Sequence, residues 1–231
     1  MFFMSSSTWE IVTSALPQII TAAIQYTIPL TLISFVLGLL LALLTAMVRL
    51  SPIRGPFQII RGLFWGYVWI FRSTPLLVQL FIVFFGLPNL GVQFSPWTAA
   101  IITFTLNVGA YSSETIRAAI LSIPNGQWEA ALTLGMTRRQ VLFRIILPQA
   151  VRVSLPPLSN SFIGLVKDTS LASSITIVEM FTVGQQISAK TYEPLLLYSL
   201  VALVYLVICT VLTILQGYLE KWTSRYVPTQ H

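Results

Sequence analysis

The sequence predicts an all-α membrane protein, and three observations carry that reading. Of the 231 residues, 55% are hydrophobic and only 9% charged, and the mean hydropathy is +0.82. A soluble helix confines its apolar residues to one stripe, whereas here they run around all sides. Apolar stretches about as long as a bilayer is thick recur along the chain, and positive residues collect in alternate connections between them. The formal charge of +6 raises the question of nucleic acid. The basic residues are spread between apolar spans and not gathered on one stripe, so no nucleic-acid partner is expected.

Taken in order, the first ten residues, MFFMSSSTWE, hold no Lys or Arg to form the basic start of a signal peptide. Residues 9–24 are expected to form a short interfacial helix. A membrane span needs about 20 apolar residues, and about five segments meet that need. They are TIPLTLISFVLGLLLALLTAMV at 27–48, a stretch at 62–86 broken by Arg72 and Pro75, a more polar one at 96–120, LPPLSNSFIGLVKDTSLASSITIVEMF at 155–181, and a last one at 194–219. The fourth is the least apolar and reads as a span followed by a broken or re-entrant piece. No repeat or low-complexity segment interrupts the chain, and one membrane domain over 1–231 accounts for it. Cys209 is the single cysteine and makes no internal disulfide.

Loop charges fix an expected sidedness. The first connection holds Arg49, Arg54 and Arg61, the second (LPNLGVQFSPW) has no charge, and the third holds Arg138, Arg139, Arg144 and Arg152. The fourth sets Lys190 against Glu179 and Glu193, and the tail carries Lys221 and Arg225. Under the positive-inside rule this places the N-terminus outside, the C-terminus in the cytoplasm, and 121–155 in a cytoplasmic loop between spans three and four.

That loop is the only one of any size. Asn125-Gly126 is a turn signal, after which Gln127 to Leu134 can run as a short helix with Glu129 in its first turn, where the helix dipole favours an anion. Ala130, Ala131 and Gly135 are small enough for another protein surface to approach closely. A second short helix, about Arg138 to Ile146, is expected to stop at Leu147-Pro148. From physics alone, a docking surface and a loop lying on anionic headgroups are both open.

Glu129-Ala130-Ala131, three residues, Gly135, nine residues, Ile145, one residue, Leu147-Pro148: this spacing matches without a gap the EAA signature of bacterial ABC-importer permeases. The stretches FRSTPLLVQLFIVFFGLP, NVGAYSSETIRAAILSIPNGQWEAA and LPPLSNSFIGLVKDTSLASSI resemble the polar amino-acid uptake branch of that family, over most of 20–220. Ser73 stands where the branch usually has glycine. LPPLSNSFIGLVKDTSLA is most similar to the cystine permeases; permeases for glutamine, arginine or glutamate are the alternatives. The resemblance implies that Glu129, Ala130, Ala131 and Gly135 belong to a coupling helix docking into an ATP-binding subunit. It also implies two such ATPase subunits carrying ATP and Mg, an extracytoplasmic solute-binding protein, a second permease copy or paralogue about a two-fold axis, and a bacterial inner membrane.

Ionisable groups at membrane depth are costly and usually face a partner or a pathway. Asn107, Tyr111 and Glu114 fall at i, i+4 and i+7 on one face of the third span, and Asn160, Gly164, Lys167 and Leu171 repeat the pattern on the fourth. Two such polar stripes can line one cavity. An amino acid offers an ammonium to Glu114 or Asp168 and a carboxylate to Lys167, while Asn107 or Asn160 can hydrogen-bond either. The resemblance also places substrate contacts around Lys167, Asp168, Thr169 and Ser170, where a broken helix would expose backbone groups to a cavity. Structural alternatives remain: Glu114 can pair with Arg72 across helices or with Arg117 at i+3, and Lys167 and Asp168 can serve packing.

No GxxxxGK[ST] phosphate loop occurs, so ATP hydrolysis is expected on a partner and no cofactor or metal on this chain. The single histidine, His231, and the single aspartate, Asp168, do not supply the Ser–His pair or the two aspartates of an intramembrane protease. A scaffolding membrane protein is the remaining rival, against which the EAA loop and the polar stripes both argue.

Overall fold

A computed structural model describes residues 6–51 and 58–224, with side chains over 8–51 and 58–221. Arg54, Arg225, His231 and the first five residues lie outside the described residues. Ten α-helices, with π and 3-10 turns between some of them, and no strand make up the described residues: α1 (Ser6–Ala22), α2 (Ile28–Leu50), α3 (Gln58–Ser73), α4 (Leu76–Phe81), α5 (Pro96–Leu121), α6 (Asn125–Thr133), α7 (Arg138–Val141), α8 (Leu147–Asp168), α9 (Met180–Thr191) and α10 (Pro194–Ser224). Three helical stretches are long and apolar enough to cross a membrane: Thr8–Leu50, Arg138–Ile175 and Pro194–Lys221. A fourth is reached if the broken pair Gln58–Ser73 and Leu76–Leu90 counts as one. α5 occupies the predicted third span but is too polar to meet the same hydropathy criterion.

Proline chemistry explains where the helices depart from expectation. Residues 9–24 do not form a separate interfacial helix: α1 continues into α2 through a π turn, Ala23–Thr27. Pro29 has no N–H, and its ring would collide with the carbonyl four residues back. One extra residue in the turn relieves this, and the residue before the proline, Ile28, donates to Ala23 O five positions back. The device recurs before Pro88, where Leu87 donates to Ile82 O, and before Pro148, where Leu147 donates to Leu142 O. The expected stop at Leu147-Pro148 is therefore corrected: the π turn Leu142–Ile146 absorbs the proline and the helix runs on as α8, so that 147–155 is helix and not loop. At Thr74-Pro75 the chain does break. Proline pushes the preceding residue out of the helical region, Pro75 itself is extended (φ −65°, ψ 139°), and the Thr74 hydroxyl donates to Ile70 O at 2.8 Å.

The chain folds as two compact units. The first takes Met1–Phe35, Pro75–Phe104 and Ile163–Thr213. In it α1 packs along α9, and Ala15, Ile19, Ala22 and Ala23 meet Met180, Leu197, Val201 and Val204 in a buried core. At Gly184 a Cβ would lie 2.4 Å from Val201 Cγ2, so only glycine permits this approach of α9 to α10. The second unit takes Val36–Thr74, Thr105–Phe162 and Ile214–His231. Its core joins Ala42 and Ala46 of α2, Ile116, Ala119 and Ile120 of α5, Ala131 of α6, Val141 of α7 and Ala150 of α8. Gly109 lets α5 come against Leu41 and the Tyr67 hydroxyl; a Cβ there would sit 2.7 Å from that oxygen. Apolar side chains such as Leu40, Leu44, Leu206, Val207 and Val211 stay exposed, as hydrocarbon-facing residues do.

Candidate coupling helix and substrate contacts

The α6–α7 hairpin is shaped by local chemistry. α6 begins at Asn125, behind Pro124, so Asn125-Gly126 is its first turn and not the predicted loop. It ends in a left-handed glycine, Gly135 at φ 81°. There Gly135 N–H donates to Leu132 O at 3.0 Å and Met136 N–H to Ala131 O at 3.2 Å, the paired bonds that close helix C-termini. A capping box opens α7 next: Thr137 Oγ1 accepts from Gln140 N–H at 3.3 Å, and Gln140 Oε1 accepts from Thr137 N–H at 2.8 Å. Gln149 of α8 ties the hairpin down, donating to Gln127 Oε1 at 2.7 Å. Ala131 is buried in the core beneath, while Glu129, Ala130 and Gly135 are exposed and Leu134 is 83% exposed. A capped helix thus presents a carboxylate, a methyl group and an unshielded leucine outward.

In the second unit Glu114 holds three guanidiniums. Arg49 donates to its Oε1, Arg117 lies 2.9 Å and Arg72 3.7 Å from its Oε2. Arg49 and Glu114 are the most enclosed, at 12% and 18% side-chain exposure, and Arg72 the least, at 44%. Arg72 also lies over the Tyr111 ring at 5.6 Å, and the Tyr111 hydroxyl donates to Arg72 O at 3.3 Å. Arg49, Arg72, Tyr111 and Glu114 line a cavity of about 440 Å³ together with Trp65, Trp69 and Ser73; Arg117 stands outside it. Sequence reasoning missed Arg49, which it counted only as a loop charge; 65 positions separate it from Glu114, and no local pattern links them. Asn107 sits half-buried and Asn160 exposed in the same unit.

The remaining candidates belong to the first unit. Lys167 and Asp168 are exposed, and directly after them the α-helix tightens into the 3-10 turn Thr169–Ile175, closed by Thr176 at φ 69°. Thr169 is buried and its hydroxyl donates to Val166 O; the Ser170 hydroxyl donates to Lys167 O. Glu179, read from sequence as a loop charge, is fully buried. It caps α9, accepting at 2.7 Å from both Phe181 N–H and Thr182 N–H, with the Thr182 and Tyr205 hydroxyls at 3.1 and 3.5 Å. Glu179 stands immediately before α9, and glutamate is not among the residue types that usually mark a helix start, so the sequence offered no strong signal for it. Among the described residues no group of three His, Cys, Asp or Glu gathers to hold a metal.

Membrane-length helices, a carboxylate held by three guanidiniums and an exposed, capped helical hairpin fit a membrane subunit that a partner can grip. Comparison with known proteins gives the family: residues 38–225 match the binding-protein-dependent transport system inner membrane component, and the chain belongs to that family. It is 50% identical, over 95% of its length and 92% of the relative's, to the L-cystine transport system permease protein TcyB of Bacillus subtilis. It is 35% identical, over 92% and 96%, to the glutamine transport system permease protein GlnP of Escherichia coli. A solved amino acid ABC transporter superposes with a TM-score of 0.86 at 31% identity, covering 94% of this chain and 99% of that one. The chain is thus the permease subunit of an amino-acid ABC importer, an inner membrane component and not an enzyme. In the family it works with a separate ATPase and a binding protein.

Proposed function

We propose that this permease carries cystine or a closely similar polar amino acid across the membrane. The 50% identity to an L-cystine permease supports that choice; glutamine and arginine permeases among the relatives make those amino acids the competing cargo. The observation that carries the site is the exposed pair Lys167 and Asp168, opposite charges side by side where α8 gives way to a 3-10 turn. A zwitterion needs both signs, and a helix end leaves backbone groups to bind it as well. In this reading Lys167 takes a carboxylate, Asp168 an ammonium, and Thr169 and Ser170 shape the turn. Asn107, Tyr111, Glu114 and Asn160 are further candidate contacts, with the Arg72–Glu114 pair serving structure.

The rest of the assembly follows the same proposal. Two permease copies, identical or paralogous, surround the path as one membrane-embedded domain each, and two ATPase subunits, with ATP and Mg, bind the coupling helix at Glu129, Ala130 and Gly135; Ala131, expected among these contacts, is buried and supports the helix from the core beneath. The N-terminus faces outside, the C-terminus and the α6–α7 hairpin the cytoplasm. This chain contributes no cofactor of its own.

Uptake by the reconstituted importer, with its ATPase and binding protein, tests the cargo and the site together. Wild type should accumulate labelled cystine in preference to glutamine, arginine and glutamate. Lys167→Met should lower apparent affinity ten- to a hundredfold, the worth of about 1.5–3 kcal/mol for a hydrogen bond to a charged group, without lowering the melting temperature. Normal uptake with a lowered melting temperature would show that Lys167 serves stability instead.

A further inference from the structure

A second cavity, of about 560 Å³, lies beside the hairpin at the ends of α2 and α5. Its walls are apolar, with Met47 and Leu50 from α2, Ile120 from α5, Trp128 from α6 and Leu142 after α7, while Arg138 and Arg139 stand among its lining residues. Among the described residues no acidic one lines it. Both arginines are exposed, and neither makes an ion pair with a described residue. Arg139 is steadied over the Phe143 ring at 5.9 Å.

We propose that this cavity binds an anionic phospholipid, with an acyl chain against the apolar walls and the phosphate on Arg138 and Arg139. Three features specify that occupant. The volume lies within the range of small-molecule pockets, about 300–1,000 Å³. The polarity is split, mostly apolar walls with two cations that no described residue neutralises, which matches a lipid and neither a soluble anion nor a purely apolar partner. The position is that of a headgroup: α2 and α5 end here, and Trp128 is the residue type that favours the membrane interface. Basic pockets among membrane helices are known to take acidic headgroups. The site does not depend on which amino acid is carried, and it gives the two arginines a role that the coupling helix leaves unassigned.

Tryptophan quenching by brominated lipids in vesicles of the assembled importer tests it. The difference between wild type and Trp128→Phe isolates the signal of this site. Brominated phosphatidylglycerol should quench that component at a mole fraction about tenfold or more below that needed with brominated phosphatidylcholine, two cations each contributing severalfold. Arg138→Gln/Arg139→Gln should abolish the preference, and Arg138→Lys/Arg139→Lys should restore most of it, while uptake specificity stays as in wild type. Equal quenching by the two lipids, or a preference that survives the double glutamine variant, overturns the proposal. So does displacement by millimolar inorganic phosphate, which would make the site a soluble-anion site. Loss of the component when the ATPase subunit is added to the permease would assign the cavity to that subunit.

Discussion

Glu114 carries the heaviest electrostatic duty of any side chain described, one carboxylate against three guanidiniums. The three bonds are unequal because their enclosure is unequal. Removing a partner from a buried pair costs about 3–5 kcal/mol, whereas an exposed pair contributes about 0–1 kcal/mol. Arg49→Met should therefore lower the melting temperature of the purified permease well beyond Arg72→Met; equal effects would contradict the ranking by exposure. Legibility at this scale depended on sequence distance. The Glu114–Arg117 contact follows from helical spacing, and a glycine at 135 between two short helical runs fits the left-handed close found there. Arg49 was not legible, since only the packing of α2 on α5 brings it to Glu114. Glu179 was hidden for a different reason: a glutamate in a polar stretch looks the same whether it faces water or caps a buried helix.

At the scale of the element, the α6–α7 hairpin shows local rules agreeing with one another. Glycine supplies the left-handed close, and Thr137 and Gln140 supply the next start. A Cβ at Gly135 would meet nothing within 4 Å, so the cost of Gly135→Ala is conformational only, about 1–2 kcal/mol for a left-handed residue. Hydrogen exchange should show α6 and α7 opening more readily in that variant while the rest of the chain is unchanged. Glu129→Arg should leave the fold intact, because Glu129 is exposed, yet abolish uptake and binding-protein-stimulated ATP hydrolysis by reversing the charge the docking partner meets; both surviving at normal expression would refute the coupling role. The long helices were readable from apolar runs, and the break at Pro75 from its residue type, but α9 falls where the sequence reads as a charged connection. The π turns were not readable, because proline alone does not reveal whether a helix will stop or take in one more residue.

For the whole molecule, the arginines of alternate connections set the expected sidedness. In a Cys209→Ala background, Gln127→Cys on α6 should react with a membrane-impermeant maleimide only from the cytoplasmic side, and Val92→Cys in the uncharged connection only from outside. The reverse pattern would invert the proposed topology. The all-helical class was legible because composition alone excludes a soluble core. The two-unit partition was not, since it assembles stretches far apart in the chain, with contacts that periodicity cannot register.

The core of the first unit also sets an order of events during synthesis. α1 is made before α9 and α10, yet its Ala15 and Ile19 are covered by Met180, Leu197 and Val201, the nearest of them about 160 residues later in the chain. At about 5–20 residues per second, the ribosome takes roughly ten to thirty seconds to deliver that cover. Throughout that interval the nascent chain holds an apolar face whose final neighbour does not yet exist, and lipid or the insertion machinery must occupy the place that α9 and α10 will claim.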